Sequence, residues 1–569
     1  MSGEFQVFGQ NQDAKFTLKV HRGDGMALLA MDWKEGKPPA DFVGFAIQYT
    51  DPGSSTLHTL QNRLNFASTP NPKGLRMFPT TEAPIQKFRW VHFPPQAVPA
   101  GKLTYHVKPV FMNEKLELSY GNEQKAELEL TRETYPGQLN VAFTRGFISS
   151  QAFVDKYKAI SGLLPAKGLG SLDFKPSAPN AEDAYTWMGF ESRAAILGVL
   201  DGAISDKTAQ VRVVAYDLNE PEIVSRLEKL GPRLKVIIDD SKDHKKKNAN
   251  ENEAAKRLLK SAGSGNVMRE HMGSLQHNKF IAVDGKTIQK AVCGSTNFSW
   301  RAFYVQSNNA IVLTGAAPVQ LFFDAFDNYW ASKKVADFGK TAAATWSDVK
   351  LTGIDAKIAF SPHSSKNALL KSIADDMLNS TTSSLLYSLA FLYETKGPIK
   401  DAIKKLTNNA DRFVYGISDK KVGGITLQKP NGNLVPLRPE SLTGKDAPQP
   451  FKSEPKAGGG TRMHHKFVVV DFNMPTARVY VGSYNFSTPA DVQNGENLLV
   501  IRDRRIAVSY AVEAMSMLDH YHFRVLQLEA KKAKKKLELV RPPRTAGEKP
   551  WWDEYYTDIE KIRDRQLFS

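Results

Sequence analysis

One stretch of the amino-acid sequence occurs twice, and it constrains the fold more than any other feature. The first copy runs from His277 to Asn297 and the second from His464 to Asn485. Both copies read H-x-K-x4-D followed by G-S-x-N. Agreement in so many residue types and spacings indicates two copies of one structural unit rather than chance. We expect the rest of the chain to hold the two copies face to face.

Each copy is preceded by a strand–helix–strand pattern. The predicted strand, helix and strand cover residues 211–216, 220–230 and 234–240 before the first copy, and 384–391, 398–406 and 412–419 before the second. The repeat is therefore a whole α/β domain and not only a motif. Strands that alternate with helices predict largely parallel sheets covered on both faces.

The N-terminal part of the chain has a different pattern of apolar and polar residues. Period-two runs such as 16–20, 42–49 and 103–111 are separated by Gly, Pro and Asn, with no helical stretch among them. This pattern predicts an antiparallel β-sandwich of the immunoglobulin or fibronectin kind. No residue in it suggests chemistry, so docking, shielding of a site and recognition of a partner are all open roles.

The length of the chain and the pattern of apolar and polar residues along it together predict four segments. A chain of 569 residues is too long to fold around a single hydrophobic core. We expect the β-sandwich at 1–145, one α/β domain at 146–345, a second at 346–530 and a basic, aromatic extension at 531–569. The Gly- and Pro-rich segment 422–461 is an insertion before the second motif. Such a loop either borders a site or is a passive excursion.

The charge balance favours anionic partners. Lys and Arg exceed Asp and Glu by 16, which gives a pI near 9.4. Nucleic acid, an anionic lipid surface or a phosphate-bearing substrate suits that balance, although solubility explains it equally well. The lysines at 531–536 are expected on an exposed helix face. The aromatic cluster at 551–556 is expected to pack back onto the body, with contact to lipid or bases as the alternative.

No segment of the sequence reads as a targeting or membrane-spanning element. The N-terminus lacks the basic start and apolar core of a secretory signal. No apolar run reaches the roughly 18 residues of a transmembrane helix. A single cysteine, Cys293, fits a reducing compartment. These features predict a cytoplasmic protein, with delivery by a route that needs no cleaved signal left open.

Strand geometry selects the reactive side chains. Residues two apart on a strand point to the same side. His277 therefore shares a face with Lys279, and His464 shares a face with Lys466. His465 has the wrong parity for that face.

The Asp that closes each H-x-K-x4-D run is predicted to be structural. Asp284 and Asp471 follow an apolar run and have the opposite parity from the His–Lys pair. We interpret both as anchors at a strand end. No further carboxylates with metal-binding spacing accompany the motifs, which predicts metal-free chemistry without a cofactor.

The remaining motif residues suit an oxyanion. Imidazole, ammonium and carboxamide groups that converge twice make a cavity rich in hydrogen-bond donors and positive charge, as a phosphodiester requires. Lys279, Lys466, Asn297 and Asn485 would hold the non-bridging oxygens. One neutral histidine can attack phosphorus while the other, protonated, gives a proton to the leaving oxygen.

The pattern resembles the phospholipase D superfamily, whose members carry both motifs in two copies per active unit. The resemblance covers residues 175–525 approximately. It implies a bilobal α/β fold with one site between the lobes, a covalent phosphohistidine intermediate, and release by water or an alcohol. The site residues it implies are His277, Lys279, Ser295 and Asn297 from the first copy and His464, Lys466, Ser483 and Asn485 from the second. Ser295 and Ser483 would belong to the phosphate site.

The two copies depart from each other at one family position. An acidic residue shortly after the G-S-x-N often orients the nearby histidine in the family. Glu496 takes that place in the second copy, but Asn308 takes it in the first. An amide cannot stabilise a developing positive charge as a carboxylate can. The resemblance suggests that His277 attacks, whereas a carboxylate beside the second motif suggests His464, so the nucleophile is left open.

Three functions follow from these residues. The first is a phospholipase D-type phosphodiesterase that hydrolyses or transfers phospholipid head groups, with a membrane surface as its peripheral partner. The second is a nuclease that cleaves DNA or RNA with the same two histidines, which the net charge of +16 favours. The third is a phosphate-binding scaffold without catalysis, which two complete sets of His, Lys and Asn disfavour.

Overall fold

The chain folds into two compact units, which are described separately. The structure is a computed structural model and describes residues 4–67, 77–94, 101–130, 133–146, 153, 156–157, 162–165, 172–394, 396–420, 424–437 and 463–569. The first unit combines Met1–Arg132 with Val508–Ser569, and the second comprises Glu133–Ala507. Within the described parts of the chain, no helix is both long and apolar enough to cross a membrane.

The N-terminal part of the first unit is all-β, as predicted. Its strands are β1 (Gln6–Phe8), β2 (Phe16–Arg22), β3 (Ala27–Trp33), β4 (Phe42–Thr50), β5 (Leu57–Thr59), β6 (Gln61–Asn62), β7 (Phe78–Pro79), β8 (Arg89–His92), β9 (Lys102–Met112), β10 (Leu118–Tyr120) and β11 (Gln124–Glu129). They form antiparallel sheets in the orders β1-β2-β3-β8 and β10-β9-β4-β5, with β11 also on β9. Alternate residues such as Phe16, Leu18 and Val20 point into the core and are fully buried, because the period of a strand is two.

The C-terminal segment packs against this all-β core. Trp552 is part of the core cluster, and Trp551 lies against it. The Trp551 indole N–H donates to the Phe42 carbonyl at 3.0 Å. The predicted separate extension at 531–569 therefore belongs to the N-terminal unit, together with residues from Val508 onward. The aromatic cluster packs onto the body as the sequence predicts.

The second unit contains two mixed sheets. Its strands are β12 (Leu139–Phe143), β13 (Gln210–Ala215), β14 (Leu234–Ile238), β15 (Val267–Arg269), β16 (Lys279–Asp284), β17 (Gln289–Gly294), β18 (Asn309–Thr314), β19 (Ser347–Asp348), β20 (Asp355–Ser361), β21 (Ser384–Ala390), β22 (Phe413–Asp419), β23 (Ile425–Gln428), β24 (Leu434–Leu437), β25 (Lys466–Val470), β26 (Arg478–Gly482) and β27 (Glu496–Arg502). The seven-stranded sheet has the order β12-β18-β17-β16-β13-β14-β15, and the nine-stranded sheet β19-β20-β27-β26-β25-β21-β22-β23-β24. The central order β18-β17-β16-β13-β14 thus matches β27-β26-β25-β21-β22, as expected for a repeat.

Helices accompany the strands in both units. They are α1 (Ala181–Ser205, interrupted at Phe190), α2 (Pro221–Leu230), α3 (Asn250–Ala262), α4 (Trp300–Tyr304), α5 (Ala316–Ala331), α6 (Val335–Phe338), α7 (Leu370–Ser380), α8 (Pro398–Thr407), α9 (Thr488–Val492), α10 (Arg504–Lys532), α11 (Glu554–Thr557) and α12 (Ile559–Phe568). The strand–helix–strand predictions before each motif are confirmed by β13-α2-β14 and β21-α8-β22. The predicted basic helix face at 531–536 is shorter than expected, because α10 ends at Lys532.

The prediction of largely parallel sheets is wrong. Among the strands that the structure describes in this unit, parallel neighbours are limited to β13-β14-β15 and to β21-β22, where helices provide the long crossover. The H-x-K strand and the G-S-x-N strand follow each other after a short turn in both copies, so β16-β17 and β25-β26 are antiparallel hairpins. A short turn cannot connect parallel neighbours.

Two predicted boundaries also differ from the structure. β12 pairs with β18 in the seven-stranded sheet, so residues 139–143 belong to the α/β unit although we expected the β-sandwich to reach 145. The sequence of residues 139–143 alone does not indicate that their pairing partner, β18, lies far along the chain. The predicted insertion 422–461 contains β23 and β24, which extend the nine-stranded sheet. Residues 438–461 of that insertion lie outside the described residues.

Candidate active site

Both His–Lys pairs lie at the beginning of a central strand. Lys279 is the first residue of β16 and Lys466 is the first residue of β25, with each histidine two positions earlier. The exposed fractions are 5% for His277, 8% for His464, 1% for Lys279 and 0% for Lys466. Each lysine Nζ donates to the backbone carbonyl of the histidine in its own motif, at 2.9 Å for Lys466. The shared face of each pair follows the predicted parity.

The two sheets meet where the motifs lie. Parallel β-bridges join Gln276 to Gly495 and Ser307 to Met463, so each H-x-K strand contacts the segment after the other G-S-x-N. The His464 backbone N–H donates to the Ser307 carbonyl at 3.0 Å. The two motifs are therefore brought together by two equivalent bridges: in each, the residue before the H-x-K of one copy pairs with a residue that follows the G-S-x-N of the other copy.

The histidines take their orienting partners from the opposite copy. His277 Nδ1 lies 2.8 Å from Glu496 Oε2, and His464 Nδ1 lies 2.8 Å from Asn308 Oδ1. His464 Nδ1 also lies 3.1 Å from the Ser295 carbonyl. The expectation that Glu496 serves the histidine of its own copy is wrong, and with it the argument that favoured His464 as nucleophile. The carboxylate is an acceptor, so His277 carries its proton on Nδ1 and its Nε2 is the free nitrogen.

The motif serines support these orienting side chains. The Ser483 hydroxyl donates to Glu496 Oε2 at 2.7 Å, and the Ser295 hydroxyl donates to Asn308 Oδ1 at 3.0 Å. The Ser295 hydroxyl also accepts the Asn309 backbone N–H, and the Ser483 hydroxyl accepts the Asn497 backbone N–H, both at 3.0 Å. Both serines are completely buried. This arrangement differs from the predicted role of Ser295 and Ser483 in phosphate binding, because their hydrogen-bonding capacity is used inside the protein.

The glycine of each G-S-x-N motif allows a close backbone approach. A Cβ on Gly294 would lie 2.6 Å from the Asn309 carbonyl oxygen, and one on Gly482 would lie 2.2 Å from that of Asn497. Gly294 also has φ of +127°, which side chains rarely adopt. Only glycine permits the neighbouring strand to come near enough for the serine contacts.

Electrostatics in the site disfavour further positive charge. Burial lowers the pKa of Lys279 to about 8. Burial and the Lys279 ammonium hold the pKa of Lys466 well below its usual range. Burial and both lysines do the same to the pKa of His464. Burial also lowers the pKa of His277, although Glu496 opposes that shift. Burial of two lysines and two histidines at one place thus leaves their cationic forms poorly stabilised, so a bound oxyanion would stabilise them.

The two motif asparagines differ in their contacts. The Asn297 carboxamide N–H donates to Asp217 Oδ2 at 2.6 Å. The side-chain oxygens of Asn297 and Asn485 are both buried without a hydrogen-bond partner among the described residues. Each carboxamide therefore has unused hydrogen-bonding capacity inside the site.

A polar network that was not predicted from the sequence lies beside the first copy. Asp217 Oδ1 lies 3.1 Å from His244 Nε2, and His244 Nδ1 lies 2.7 Å from Asp239 Oδ2. The Tyr216 ring packs edge-on between the rings of His244 and His277, with centroid distances of 4.7 and 4.6 Å. Burial opposes the charged form of His244, but hydrogen bonds to the two aspartates outweigh it and raise its pKa to about 10.

A usable signal for this network exists in the sequence. Asp217 and Asp239 follow the ends of the adjacent parallel strands β13 and β14. The carboxyl ends of neighbouring parallel strands meet at one edge of a sheet, where ligand sites commonly lie. The strand–helix–strand pattern alone therefore predicts that these two polar residues lie close together. His244 has no such signal, because it lies in an irregular, lysine-rich segment.

One set of described side chains has the chemistry of metal ligands. Asp217, His244 and Glu251 each place a ligand-type atom within 4.8 Å of the others. Both ring nitrogens of His244 already face carboxylates, however, at 3.1 Å for Asp217 and 2.7 Å for Asp239, and both contacts are hydrogen bonds when each nitrogen carries a proton. An imidazolium has no free lone pair for a metal. We therefore interpret the set as a hydrogen-bonded network.

The two Asp residues of the motifs have unequal roles. Asp471 is completely buried, and its carboxylate accepts the backbone N–H groups of Thr382, Ser383 and Ser384 at 2.7–3.1 Å. It also accepts the hydroxyl of Thr476 at 3.2 Å. Its contacts are those of an anchor that ties the start of β21 to the end of β25.

Asp284 lacks such contacts. It is exposed and accepts a 2.8 Å hydrogen bond from the Gln289 side chain. The anchor role predicted for both residues therefore fits Asp471 better than Asp284.

We expect Asp471→Ala to lower the free energy of unfolding by about 3 kcal/mol, because it leaves several buried donors without an acceptor. Asp284→Ala is the matched control, and we expect a change of about 0.5 kcal/mol or less. Urea denaturation of the full chain, followed by tryptophan fluorescence, measures both. Equal losses in the two variants would contradict the assignment.

Comparison with known proteins agrees with the motif. The family described as cardiolipin synthase, PLD-like domain, matches residues 201–330 and 375–518. A phospholipase D of Rickettsia felis is 40% identical over 47 residues, which are 8% of this chain and 22% of that protein. A phospholipase D of Rickettsia prowazekii shows the same identity over 47 residues, 21% of its length. The match thus spans about a fifth of these curated relatives.

Two solved structures are also similar to parts of this chain. Phosphatidylserine synthase of Haemophilus influenzae is 13% identical with a TM-score of 0.42, over 61% of this chain and 92% of that one. The phospholipase D family member Nuc of Salmonella typhimurium is 24% identical with a TM-score of 0.20, over 24% of this chain and 86% of that one. The family match and the curated relatives identify residues 201–330 and 375–518 of this chain as PLD-like domains of the phospholipase D superfamily.

Proposed function

We propose that the protein is a metal-independent phosphodiesterase that works through a covalent phosphohistidine. The observation that carries this proposal is the crossed pairing of the two buried histidines, each held through Nδ1 by a side chain of the other copy. Nδ1 is engaged in both rings, so Nε2 is the reactive atom in both. Two buried lysines beside them supply positive charge for the phosphate.

The first step is attack by His277 on phosphorus. A bond forms between Nε2 of His277 and phosphorus while the bond to the leaving oxygen breaks. His464, protonated on Nε2, gives its proton to that oxygen. Glu496 offsets the positive charge that develops on the His277 ring. A bound phosphate offsets the ammonium charges of Lys279 and Lys466, and this favours the protonated form of His464 that the step requires.

The second step releases the phosphoryl group. His464, now neutral, accepts a proton from water or an alcohol, whose oxygen attacks phosphorus as the bond to His277 breaks. Lys279 and Lys466, with the carboxamides of Asn297 and Asn485, hold the non-bridging oxygens in both steps. Water gives hydrolysis and an alcohol gives transfer of the group.

We propose a phospholipid head group as the substrate and a membrane surface as the peripheral partner. The family model that matches is described by a lipid-synthesising enzyme, and the curated relatives are called phospholipase D. The alternative substrate is a nucleic acid, which the net charge of +16 favours. Both substrates present the same phosphodiester to the same residues.

We also propose an architecture in which the two sheets of the second unit form the lobes of a bilobal fold with one shared site. Hydrogen bonds between the copies support this proposal. We propose an immunoglobulin-like sandwich for the N-terminal strands, on the basis of their antiparallel pairing in two sheets. Recognition of a partner or a surface is its proposed role.

The test is a substrate comparison with the full-length protein. Purified chain is incubated, with chelator present, with vesicles of phosphatidylcholine, phosphatidylglycerol and cardiolipin, and separately with single- and double-stranded DNA and RNA. We expect phosphatidic acid and free head group from the wild type and none from His277→Ala. The matched control is His58→Ala, a surface histidine that is 41% exposed and lies in the N-terminal unit. Cut nucleic acid with intact lipid would replace the lipid proposal by the nuclease.

A further inference from the structure

The carboxamide of Asn297 is fixed by a neighbouring carboxylate. Asp217 Oδ2 lies 2.6 Å from the Asn297 side-chain nitrogen, so the amide nitrogen and not the amide oxygen faces Asp217. Rotating the amide by half a turn would bring two acceptor oxygens to that short distance, which is repulsive. The carboxylate thus selects one of the two amide orientations. The second N–H of the same nitrogen stays available as a donor, and the Asn297 oxygen has no partner among the described residues.

Asp217 is itself held by a chain of buried groups. Its other oxygen lies 3.1 Å from His244 Nε2, and His244 Nδ1 lies 2.7 Å from Asp239 Oδ2. Asp239 is completely buried and accepts the Gln276 backbone N–H at 2.6 Å and the Ser241 hydroxyl at 2.6 Å. This series of hydrogen bonds therefore runs from Gln276, the residue before His277, through Asp239 and His244 to Asp217.

The second copy has no equivalent of Asp217. Ala215 pairs with Lys279 in the first sheet, and Leu389 pairs with Lys466 in the second. The residue two positions further is Asp217 in the first sheet and Phe391 in the second. A phenylalanine side chain cannot accept a hydrogen bond from an amide in this way. The orientation of Asn485 is therefore not set by a carboxylate at that position, and the two asparagines are unequal.

We propose that Asp217 is a positioning residue that fixes the Asn297 amide with its nitrogen as the donor, and that His244 braces Asp217 from Asp239. The proposal rests on the proposed function, in which Asn297 donates to a non-bridging phosphate oxygen. An amide free to rotate would present its oxygen to the phosphate in part of the population, and this acceptor repels the anion.

A double-mutant cycle on phosphate binding tests the proposal. Asp217→Asn keeps the shape of the side chain but lets it donate to the Asn297 oxygen, which removes the preference for one orientation. Isothermal titration of the full chain with inorganic phosphate is compared for the wild type, Asp217→Asn, Asn297→Ala and the double variant. We expect Asp217→Asn to weaken binding about tenfold in the wild-type background and less than about twofold in the Asn297→Ala background.

The second copy supplies the matched control. Combined with Asn485→Ala, Asp217→Asn is expected to keep its tenfold effect, because Asp217 does not contact Asn485. His244→Gln removes the brace without touching Asn297 and is expected to show the same dependence on Asn297, with a smaller loss of about threefold. It also serves as the second variant if Asp217→Asn lowers folding yield.

Equal losses from Asp217→Asn in the wild-type and Asn297→Ala backgrounds would overturn the proposal. Saturable Zn²⁺ or Mn²⁺ binding that disappears in His244→Gln would also overturn it, because Nε2 would then be a ligand and not the partner of Asp217. Failure of the proposed function is a separate result. If the wild type hydrolyses bis(p-nitrophenyl) phosphate but the losses of phosphate affinity from Asp217→Asn and Asn297→Ala are additive, only the positioning role is contradicted. If those losses are coupled but the wild type hydrolyses nothing, only the proposed enzymatic function is contradicted. A wild type that binds no phosphate contradicts both.

Discussion

With bis(p-nitrophenyl) phosphate as substrate, the His464→Ala variant is expected to release one equivalent of p-nitrophenol in a burst and then to stall. p-Nitrophenolate is a good leaving group and departs without a proton, so His277 can still form its bond to phosphorus. Release of the phosphoryl group needs a base to activate water, and that base is missing, so steady turnover falls by about 10²- to 10⁴-fold. His277→Ala is expected to give no burst and to lose about 10⁴-fold or more, because the nucleophile is absent.

Stopped-flow absorbance measures the burst, and intact mass spectrometry measures the covalent adduct on the stalled variant. The adduct should be lost on brief acid treatment, as a phosphoramidate bond is, and peptide mapping should assign it to His277. The His58→Ala variant provides the control for preparation and folding. A burst in His277→Ala with none in His464→Ala would exchange the roles of the two histidines.

Glu496→Gln is expected to lower kcat by about 10²- to 10³-fold, since it removes the charge that offsets the cationic His277 ring. The change is otherwise conservative. Glu496 accepts from Asn494 at 3.2 Å through its other oxygen. The Asn494 side-chain oxygen has no partner among the described residues, so that amide can rotate to accept the new Gln N–H. The loss therefore reports charge rather than misfolding, and an unchanged melting temperature checks this.

The matched variant is Asn308→Asp, which gives His464 a carboxylate instead. The new charge is expected to raise the pKa of His464, so the limb of the kcat profile that reports this group moves to higher pH. The Asn308 N–H that donates to the Ala302 carbonyl at 3.1 Å is lost, so we expect a modest fall of about tenfold at pH 7. The Glu496→Gln/Asn308→Asp double variant should not regain activity. Recovery to near wild type would show that the carboxylate does not decide which histidine attacks.

Local pattern in the sequence was sufficient for much of the site. The spacing of His277 and Lys279 places both on one face of β16, and the same holds for the second copy. The strand–helix–strand units before each motif were also predictable, because apolar runs with Pro and Gly boundaries are local signals. Parity did not separate the two motif aspartates, since it assigned the same anchor role to Asp471, which is buried, and to Asp284, which is exposed.

Contacts between distant residues were not predictable in the same way. His277 and Glu496 are 219 positions apart, and nothing in either local sequence indicates that they meet. From the sequence, Glu496 was expected beside the histidine of its own copy, whereas the β-bridge between Gln276 and Gly495 brings its side chain to His277 of the other copy. The pairing of β12 with β18 was missed for the same reason.

The crossed partners have a consequence for how such a site can arise. In a dimer of identical single-copy chains, symmetry would give both histidines the same partner. Both would face a carboxylate, or both would face an amide. Here Glu496 faces one histidine and Asn308 faces the other, which a dimer of identical chains cannot provide. Fusion therefore allows one histidine to specialise as nucleophile and the other as proton carrier. Each copy contributes one histidine and the side chain that orients the other copy's histidine, so neither copy alone contains a complete pair.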